Sequence, residues 1–208
     1  IHNETPSKNF GDLAKIDTQT IPSNIDLLVG GTPCQDFSIA GKQQGGIEGS
    51  GTRSSLMWYY IRLITLTKPK AIVWENVPNV LSNKHISNYR RFYHTLNAIG
   101  YKVYGDLVDA KYYNVPQQRL RLFVVAIRKD IDCEFSFPYG YDSGIRLRDI
   151  LQLNVPKEVY TKCLENVEIF DKPKQTDTHG IIKAGNLHHG KFHTQNDIVS
   201  IDGISPWV

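Results

Sequence analysis

The sequence predicts an α/β fold with a doubly wound, mostly parallel sheet. Short apolar runs, of the kind that form buried strands, alternate with longer segments of helical periodicity. Glycine, proline or polar residues follow each run, as expected where a strand ends and the chain turns toward a helix. In sheets of this kind the functional loops lie beyond the carboxyl ends of the strands. A site is therefore expected at these turns.

The individual strands and helices can be placed from the same patterns. Strands are predicted at the short apolar or alternating runs, residues 25–29, 71–74, 101–108 and 122–127. Ser54 or Ser55 can cap a first helix, which Pro69 ends. A second helix is predicted over residues 86–99, where apolar side chains recur at helical spacing before Gly100.

The regular alternation stops near residue 130, and this divides the chain. Residues 1–135 are predicted to form the α/β domain. Residues 136–208 include a tail rich in Asn, His, Gly and Lys, and they are predicted to form a linker and the start of a smaller, irregular module.

Composition excludes few classes of function. The formal net charge of +3 permits a nucleic-acid partner without requiring one. Neither a run of about 18 apolar residues nor a signal peptide is found, so we expect an intracellular protein. A metal site at the histidines of the tail (His179, His188, His189 and His193) is disfavoured, because neighbouring glycines oppose a helix and no cysteine or acidic cluster joins them.

Cys34 is the candidate nucleophile. It follows the first predicted strand, inside a turn that begins Gly-Gly-Thr-Pro over residues 30–33. Cysteine reacts as its thiolate, and a polar site at the mouth of a sheet can favour that form. The other two cysteines, Cys133 and Cys163, have no such context, and we expect them to be small buried hydrophobic side chains.

Three motifs together resemble those of the DNA (cytosine-5)-methyltransferases. Residues 30–41 resemble the nucleophile motif of that family, residues 75–77 its Glu-Asn-Val motif, and residues 117–121 its Gln-x-Arg-x-Arg motif. They occur in the order of the family, and each follows or opens a predicted strand. Gly11-Asp12 and the segment 52–56 are weaker matches. The resemblance covers about residues 9–130 and implies the fold of S-adenosylmethionine-dependent methyltransferases.

The resemblance assigns roles to four side chains. The Cys34 thiolate would add to C6 of cytosine and make C5 enamine-like. Glu75 would donate or share a proton at N3 and accept from the N4 amine, and Arg121 would bind O2, with Arg119 holding it and a nearby phosphate. A base inside a duplex is out of reach of these groups, so the interpretation requires base flipping.

The resemblance also implies ligands for the surrounding residues. S-adenosylmethionine would be the methyl donor, without a metal, held by Asp12, Pro33 and Leu56. Duplex DNA would be contacted by Gln35, Ser38, Lys42 and Arg53, with the glycine-rich loop 41–52 closing over its backbone.

The same resemblance implies that parts of the family's sequence pattern lie outside this chain. The donor-binding loop of the family is expected upstream of residue 1, and its late motifs downstream of residue 208. We therefore expect this chain by itself to bind S-adenosylmethionine poorly, and a complementing segment or subunit to restore activity. A prokaryotic or phage restriction-modification enzyme of the cytoplasm is the main hypothesis. A degenerate, non-catalytic DNA-binding relative and an RNA cytosine-5 methyltransferase are the alternatives.

Overall fold

The structure, a computed structural model, describes most of the chain. The described residues are 9–17, 19–22, 24–32, 56–152, 167–175, 180–187 and 197–206. Contacts within the chain divide it into two compact units. The first contains residues 1–108 and 121–137, and the second contains residues 109–120 and 138–208.

A four-stranded sheet forms the centre of the first unit. Its strands are β1 (Leu27–Gly30), β2 (Ala71–Asn76), β3 (Tyr101–Asp109) and β4 (Leu120–Arg128), in the spatial order β1-β2-β4-β3. β1 and β2 are parallel, whereas β4 is antiparallel to β2, so the described sheet is mixed. All four predicted strands exist, and β2 and β4 extend beyond the apolar runs that predicted them.

Two helices cover one face of this sheet. They are α1 (Leu56–Thr67), between β1 and β2, and α2 (Ile86–Ala98), between β2 and β3. Side chains that alternate along β2 and β4 meet the apolar faces of both helices in one core. The ring of Trp74 lies against that of Phe92, with centroids 4.8 Å apart, and both residues are fully buried. Strands and helices in this order, built around a partly parallel sheet, confirm the predicted α/β class.

The second unit contains strands that the sequence analysis did not predict. β5 (Glu168–Gln175), β6 (Ile182–Asn186) and β7 (Asp197–Val199) form an antiparallel sheet in the order β5-β6-β7. A one-turn helix, α3 (Leu147–Ile150), precedes them. These short strands contain Lys, Asp and Gly, and they lack the apolar runs that identify buried strands.

Two further observations concern the described residues as a whole. Within these ranges none of the helices has the length and apolar character that crossing a bilayer needs. The expectation for Cys133 was wrong, because this cysteine is exposed. Cys133 lies beyond the end of β4, where the chain has left the sheet. A lone cysteine carries no sequence signal that distinguishes a buried side chain from an exposed one.

Candidate active site

Glu75 and Arg121 meet on one face of the sheet. In the antiparallel pairing of β2 with β4, Glu75 lies opposite Phe123, so Arg121 is its diagonal neighbour on the same face. The Nε of Arg121 donates to Glu75 Oε1 at 3.0 Å. The Arg121 side chain is 10% exposed and that of Glu75 is 36% exposed. The arginine is thus fixed in the protein, while the carboxylate still reaches the surface.

Gly30, the last residue of β1, and Gly31, which follows it, leave room for neighbouring side chains. A Cβ at Gly31 would lie 3.3 Å from Glu75 Oε2, and one at Gly30 would lie 2.7 Å from the ring of Tyr60. Neither glycine has a positive φ angle, so the requirement is for space and not for backbone conformation. The carboxylate of Glu75 therefore lies against the backbone three residues before Cys34.

Thr32 is held from two positions on β2. Trp74 Nε1 donates to Thr32 Oγ1 at 3.1 Å, and Asn76 Nδ2 donates to the Thr32 carbonyl at 3.1 Å and to its Oγ1 at 3.3 Å. The Asn76 Oδ1 accepts from the backbone N–H of Val77 at 2.9 Å. Thr32, Trp74 and Asn76 are all buried. These bonds give each buried polar group a partner and fix the chain where it leaves β1.

Arg119 is exposed, and it is the backbone of this residue that the structure ties down. Its N–H donates to Asp109 Oδ1 at 2.9 Å, and its carbonyl accepts from the N–H of Ala110 at 3.1 Å. The same Asp109 oxygen accepts from the N–H of Lys111 at 3.3 Å. These hydrogen bonds hold together the two ends of the connection between β3 and β4. They therefore fix the backbone position of Arg119.

An open cavity of about 310 Å³ lies at the carboxyl end of β1. Its wall is mainly apolar and is formed by the end of β1, one face of α1 and a residue of the first segment; the lining residues include Leu13, Gly31, Thr32, Leu56, Tyr60 and Leu63. The hydroxyl of Tyr60 donates to the carbonyls of Leu28 and Val73, at 3.1 and 3.2 Å. Burial raises the pKa of Tyr60 above its ordinary value, so this hydroxyl stays protonated and can donate.

Comparison with known proteins decides the family. Residues 1–202 match the sequence profile described as C-5 cytosine-specific DNA methylase. The chain belongs to this family. The predicted resemblance, which covered about residues 9–130, is thereby confirmed, and the match extends beyond it at both ends.

Relatives of this chain include proteins of bacteria and of phages. The chain is 36% identical to Type II methyltransferase M2.ScrFI of Lactococcus lactis subsp. cremoris, over 80% of this chain and 45% of that protein. It is 31% identical to Orphan methyltransferase M.Rho11sI of Bacillus phage rho11s, over 94% of this chain and 45% of that protein. The chain thus spans about half the length of these relatives.

Solved structures show the same fold. A DNA modification methyltransferase encoded within a prophage of E. coli superposes with a TM-score of 0.59 at 17% identity, covering 94% of this chain and 67% of that one. The Entamoeba histolytica methyltransferase EhMeth superposes with a TM-score of 0.55 at 21% identity, covering 71% of this chain and 46% of that one.

The residues predicted for this C-5 cytosine-specific DNA methylase site fall into three groups. Glu75 and Arg121 are brought together, and Leu56 lines the cavity. Asp12 and Arg119 are exposed. Asp12 Oδ1 accepts from the N–H of Ala14 at 3.0 Å and thereby caps a short 3-10 helix, Leu13–Lys15. The third group lies outside the described residues and consists of Pro33, Cys34, Gln35, Ser38, Lys42 and Arg53.

The loop predicted as a lid and the four tail histidines considered as metal ligands also lie outside the described residues. In the part of the chain that is described, no three His, Cys, Asp or Glu side chains come together as a metal ion needs.

Sequence reasoning missed several residues of the site. Thr32, Trp74 and Asn76 form its hydrogen-bonded support, and Leu13, Tyr60 and Leu63 line the cavity. Asn76 belongs to the Glu-Asn-Val motif of residues 75–77, so the sequence could have predicted it as a site residue. Trp74 and Tyr60 lie in apolar runs, where the sequence pattern predicts that an aromatic side chain belongs to the core. The spacing of apolar residues does not show which partner the indole N–H or the phenol hydroxyl will have.

Proposed function

We propose that this chain supplies the catalytic part of an enzyme that methylates C5 of cytosine in duplex DNA after base flipping. The observation that carries the proposal is the contact of Glu75 with Arg121, at 3.0 Å, against the glycine that leads toward Cys34. A carboxyl group and a guanidinium on adjacent strands present the hydrogen-bonding groups that the N3, N4 and O2 positions of one pyrimidine require.

The reaction begins with Cys34. Its thiolate adds to C6, the new S–C6 bond forms, and the electron pair of the 5,6 double bond moves toward C5 with negative charge shared by N3 and O2. Glu75 accepts from the N4 amine and, when protonated, donates at N3. Arg121 donates to O2, and Arg119 supports the ring or a neighbouring phosphate. After methyl transfer a base removes the C5 proton, the double bond re-forms, and the S–C6 bond breaks to release Cys34.

The proposed donor is S-adenosylmethionine, which when bound supplies an electrophilic methyl group. The cavity at the end of β1 fits such a ligand, because its 310 Å³ reaches the lower range of ligand pockets and its wall is mainly apolar. Leu13, Leu56 and Leu63 would pack against the donor, and Pro33 and Asp12 belong to the same proposal. No metal takes part.

The proposal also assigns the residues that contact DNA and the domains of the chain. Gln35, Ser38, Lys42 and Arg53 contact DNA. Residues 1–135 are the catalytic domain, and residues 136–208 are a linker with part of a target-recognition region. Bacterial and phage relatives support a prokaryotic or phage origin, with the cytoplasm as the place of action.

A complementing segment or subunit completes the donor site in this proposal. Two observations support it. The chain spans 45% of the relative from Lactococcus lactis. In the described sheet β1 is an edge strand, and its Leu27 and Val29 are 55% and 65% exposed.

Covalent trapping tests the function. DNA that carries 5-fluorocytosine at the target position cannot lose the C5 substituent as a proton, so an enzyme of this mechanism stays attached through Cys34. We expect the natural full-length protein to form an adduct that requires S-adenosylmethionine and is absent in Cys34→Ser. Absence of any adduct with DNA would overturn the proposal in favour of a non-catalytic DNA-binding protein. An adduct with structured RNA alone would indicate an RNA methyltransferase.

A further inference from the structure

Tyr139 and Tyr141 are exposed aromatic side chains of the second unit. Tyr139 is 91% exposed, the highest value among the large apolar side chains of the described residues, and Tyr141 is 63% exposed. A ring that is 91% exposed offers both of its faces to a ligand. Scattered exposed apolar side chains are ordinary, whereas exposed rings grouped on one surface mark a place of binding.

The backbone that carries these two rings is held in place. The hydroxyl of Tyr113 donates to the carbonyl of Pro138 at 2.7 Å, and the N–H of Tyr141 donates to the carbonyl of Tyr112 at 2.9 Å. A Cβ at Gly140 would lie 2.8 Å from both Tyr112 Cβ and Tyr113 Cζ, so residue 140 packs closely against these side chains. A ring on a fixed backbone loses less conformational freedom when a ligand binds, and this arrangement therefore favours binding.

A third ring and a lysine lie beside the first two rings. Tyr112 is 42% exposed, and the Nζ of Lys111 lies 4.8 Å from the centroid of its ring. The backbone hydrogen bond between Tyr112 and Tyr141 joins the two segments that carry the rings. Tyr112, Tyr139 and Tyr141 together form the tyrosine surface.

The charge around the tyrosine surface suits a chain of phosphates. Residues 109–120 and 138–146 contain three cations and two carboxylates, which leaves one net positive charge. Both carboxylates accept hydrogen bonds within the protein, Asp109 from two backbone N–H groups and Asp142 from Arg146 Nη1 at 3.0 Å. Lysine and arginine side chains are the usual partners of nucleic-acid phosphates.

We propose that the tyrosine surface is a second binding site of this protein, and that its ligand is an unpaired DNA strand. The bases stack on the rings, and Lys111 pairs with a phosphate of the same strand. Each nucleotide brings a flat ring and a phosphate together, which matches rings that lie beside a lysine. Within a duplex the faces of each base are covered by its neighbours, so the ligand must be unpaired.

This inference goes beyond the proposed function. The tyrosine surface shares no residue with the site of Glu75 and Arg121, and it acts by binding alone. Stacking on tyrosine is tolerant of sequence, because every base has a ring face. We therefore expect this site to bind strands that contain no cytosine.

Binding of a labelled oligothymidylate to the natural full-length protein, followed by fluorescence anisotropy, tests the proposal. This probe contains no cytosine, so its binding does not depend on methylation. We expect Tyr139→Ala to weaken binding about tenfold, because one base loses its stacking partner. The double variant Tyr139→Ala/Tyr141→Ala should weaken binding further. Tyr139→Phe keeps the ring and should retain the parent affinity.

Two controls separate stacking from other effects. Leu66→Ala removes an apolar side chain that is 52% exposed on α1, and it should leave the affinity unchanged. Lys111→Gln should reduce the slope of log affinity against log salt concentration by about 0.7, the value for one phosphate contact on a single strand. Tyr139→Ala should leave that slope unchanged. Circular dichroism checks that each variant folds.

A second readout uses the parent protein without any substitution. Nitration of tyrosines by tetranitromethane, followed by mass spectrometry, reports whether Tyr139 is accessible. We expect Tyr139 to react in the free protein and to be protected by saturating oligothymidylate, whereas the buried Tyr101 should react in neither case. A Tyr139 that is protected without nucleic acid would be covered by another part of the protein, and the proposal would then be wrong.

Two binding results would also overturn the proposal. One is an unchanged affinity for oligothymidylate in Tyr139→Ala. The other is an equal loss of affinity for a duplex of oligoadenylate and oligothymidylate, because the rings would then contact the DNA backbone and not the bases. The function proposed above fails separately, since it depends on an adduct with 5-fluorocytosine DNA that oligothymidylate cannot form.

Discussion

Replacement of Gly30 by alanine tests the close packing at the end of β1. The new Cβ would lie 2.7, 3.0 and 3.2 Å from three ring atoms of Tyr60, distances that force the ring to move. Tyr60 is 3% exposed, so the movement occurs inside a packed core. The backbone of Gly30 has no positive φ, and strain at the backbone therefore adds nothing to the effect.

The cost can be worked from two contributions. Overpacking a well-filled core costs about 1–3 kcal/mol. The hydroxyl of Tyr60 bonds to the carbonyls of Leu28 and Val73 at 3.1 and 3.2 Å, already long, so a displaced ring loses at least one bond, or about 1 kcal/mol. We expect Gly30→Ala to lower the free energy of unfolding by about 2–4 kcal/mol.

Urea unfolding followed by circular dichroism measures this value. The matched control is Gly31→Ala. Its Cβ would lie 3.3 Å from Glu75 Oε2, on a side chain that is partly exposed and can give way, and 3.8 Å from the Glu75 carbonyl oxygen, an ordinary van der Waals contact. It should cost less than 1 kcal/mol. Gly30→Ala should also cost less in a Tyr60→Leu background. A loss below about 0.5 kcal/mol, or the same loss in both backgrounds, would refute the reasoning.

Three further changes test the site and its surroundings. Arg121→Met should lower the free energy of unfolding by about 1–2 kcal/mol in urea, less than for a fully buried pair because Glu75 is 36% exposed; a loss above 3 kcal/mol would contradict this. Burial lowers the pKa of His85, so the unfolded chain takes up the proton first and stability falls as pH drops below about 6.5; His85→Gln should flatten that slope in urea titrations between pH 5 and 7, and an unchanged slope would exclude His85 as its source. Asp109→Ala should slow adduct formation by loosening Arg119, whereas Asp109→Asn, which keeps the accepting oxygen, should retain the parent rate; equal rates in both variants would remove Asp109 from the argument.

Local sequence patterns were sufficient to predict the strands and the two helices of the first unit. The second helix was predicted over 86–99 and spans Ile86–Ala98 because apolar spacing and a terminal glycine act on neighbouring residues. Strand ends were predicted less well. Leu120 and Arg121 belong to β4 although neither extends its apolar run, because backbone pairing continues after the buried stretch has ended.

The chemistry of the site was predicted only where a motif contains it. Glu75 and Arg121 were identified from motifs, but their mutual contact depends on the register of β2 and β4. The 43 residues 77–119 separate these strands in sequence, and no local signal sets their register. Trp74 and Tyr60 were missed for a related reason. Each has an apolar ring that packs as the pattern predicts and one polar atom whose partner is distant in sequence.

The diagonal placement of Glu75 and Arg121 limits how this protein can change over evolution. Because alternate residues of a strand face opposite sides, a single residue gained or lost within β2 or β4 would send one of the two side chains to the far side of the sheet. The segment between the two strands contains α2, which packs in the core, and β3, which pairs with β4, so only the loops of this segment are free of the restriction. Insertions should therefore accumulate in those loops and be absent from the paired strands, and a chain in which β2 and β4 mispair by one position would lose both the site and the core face of the slipped strand.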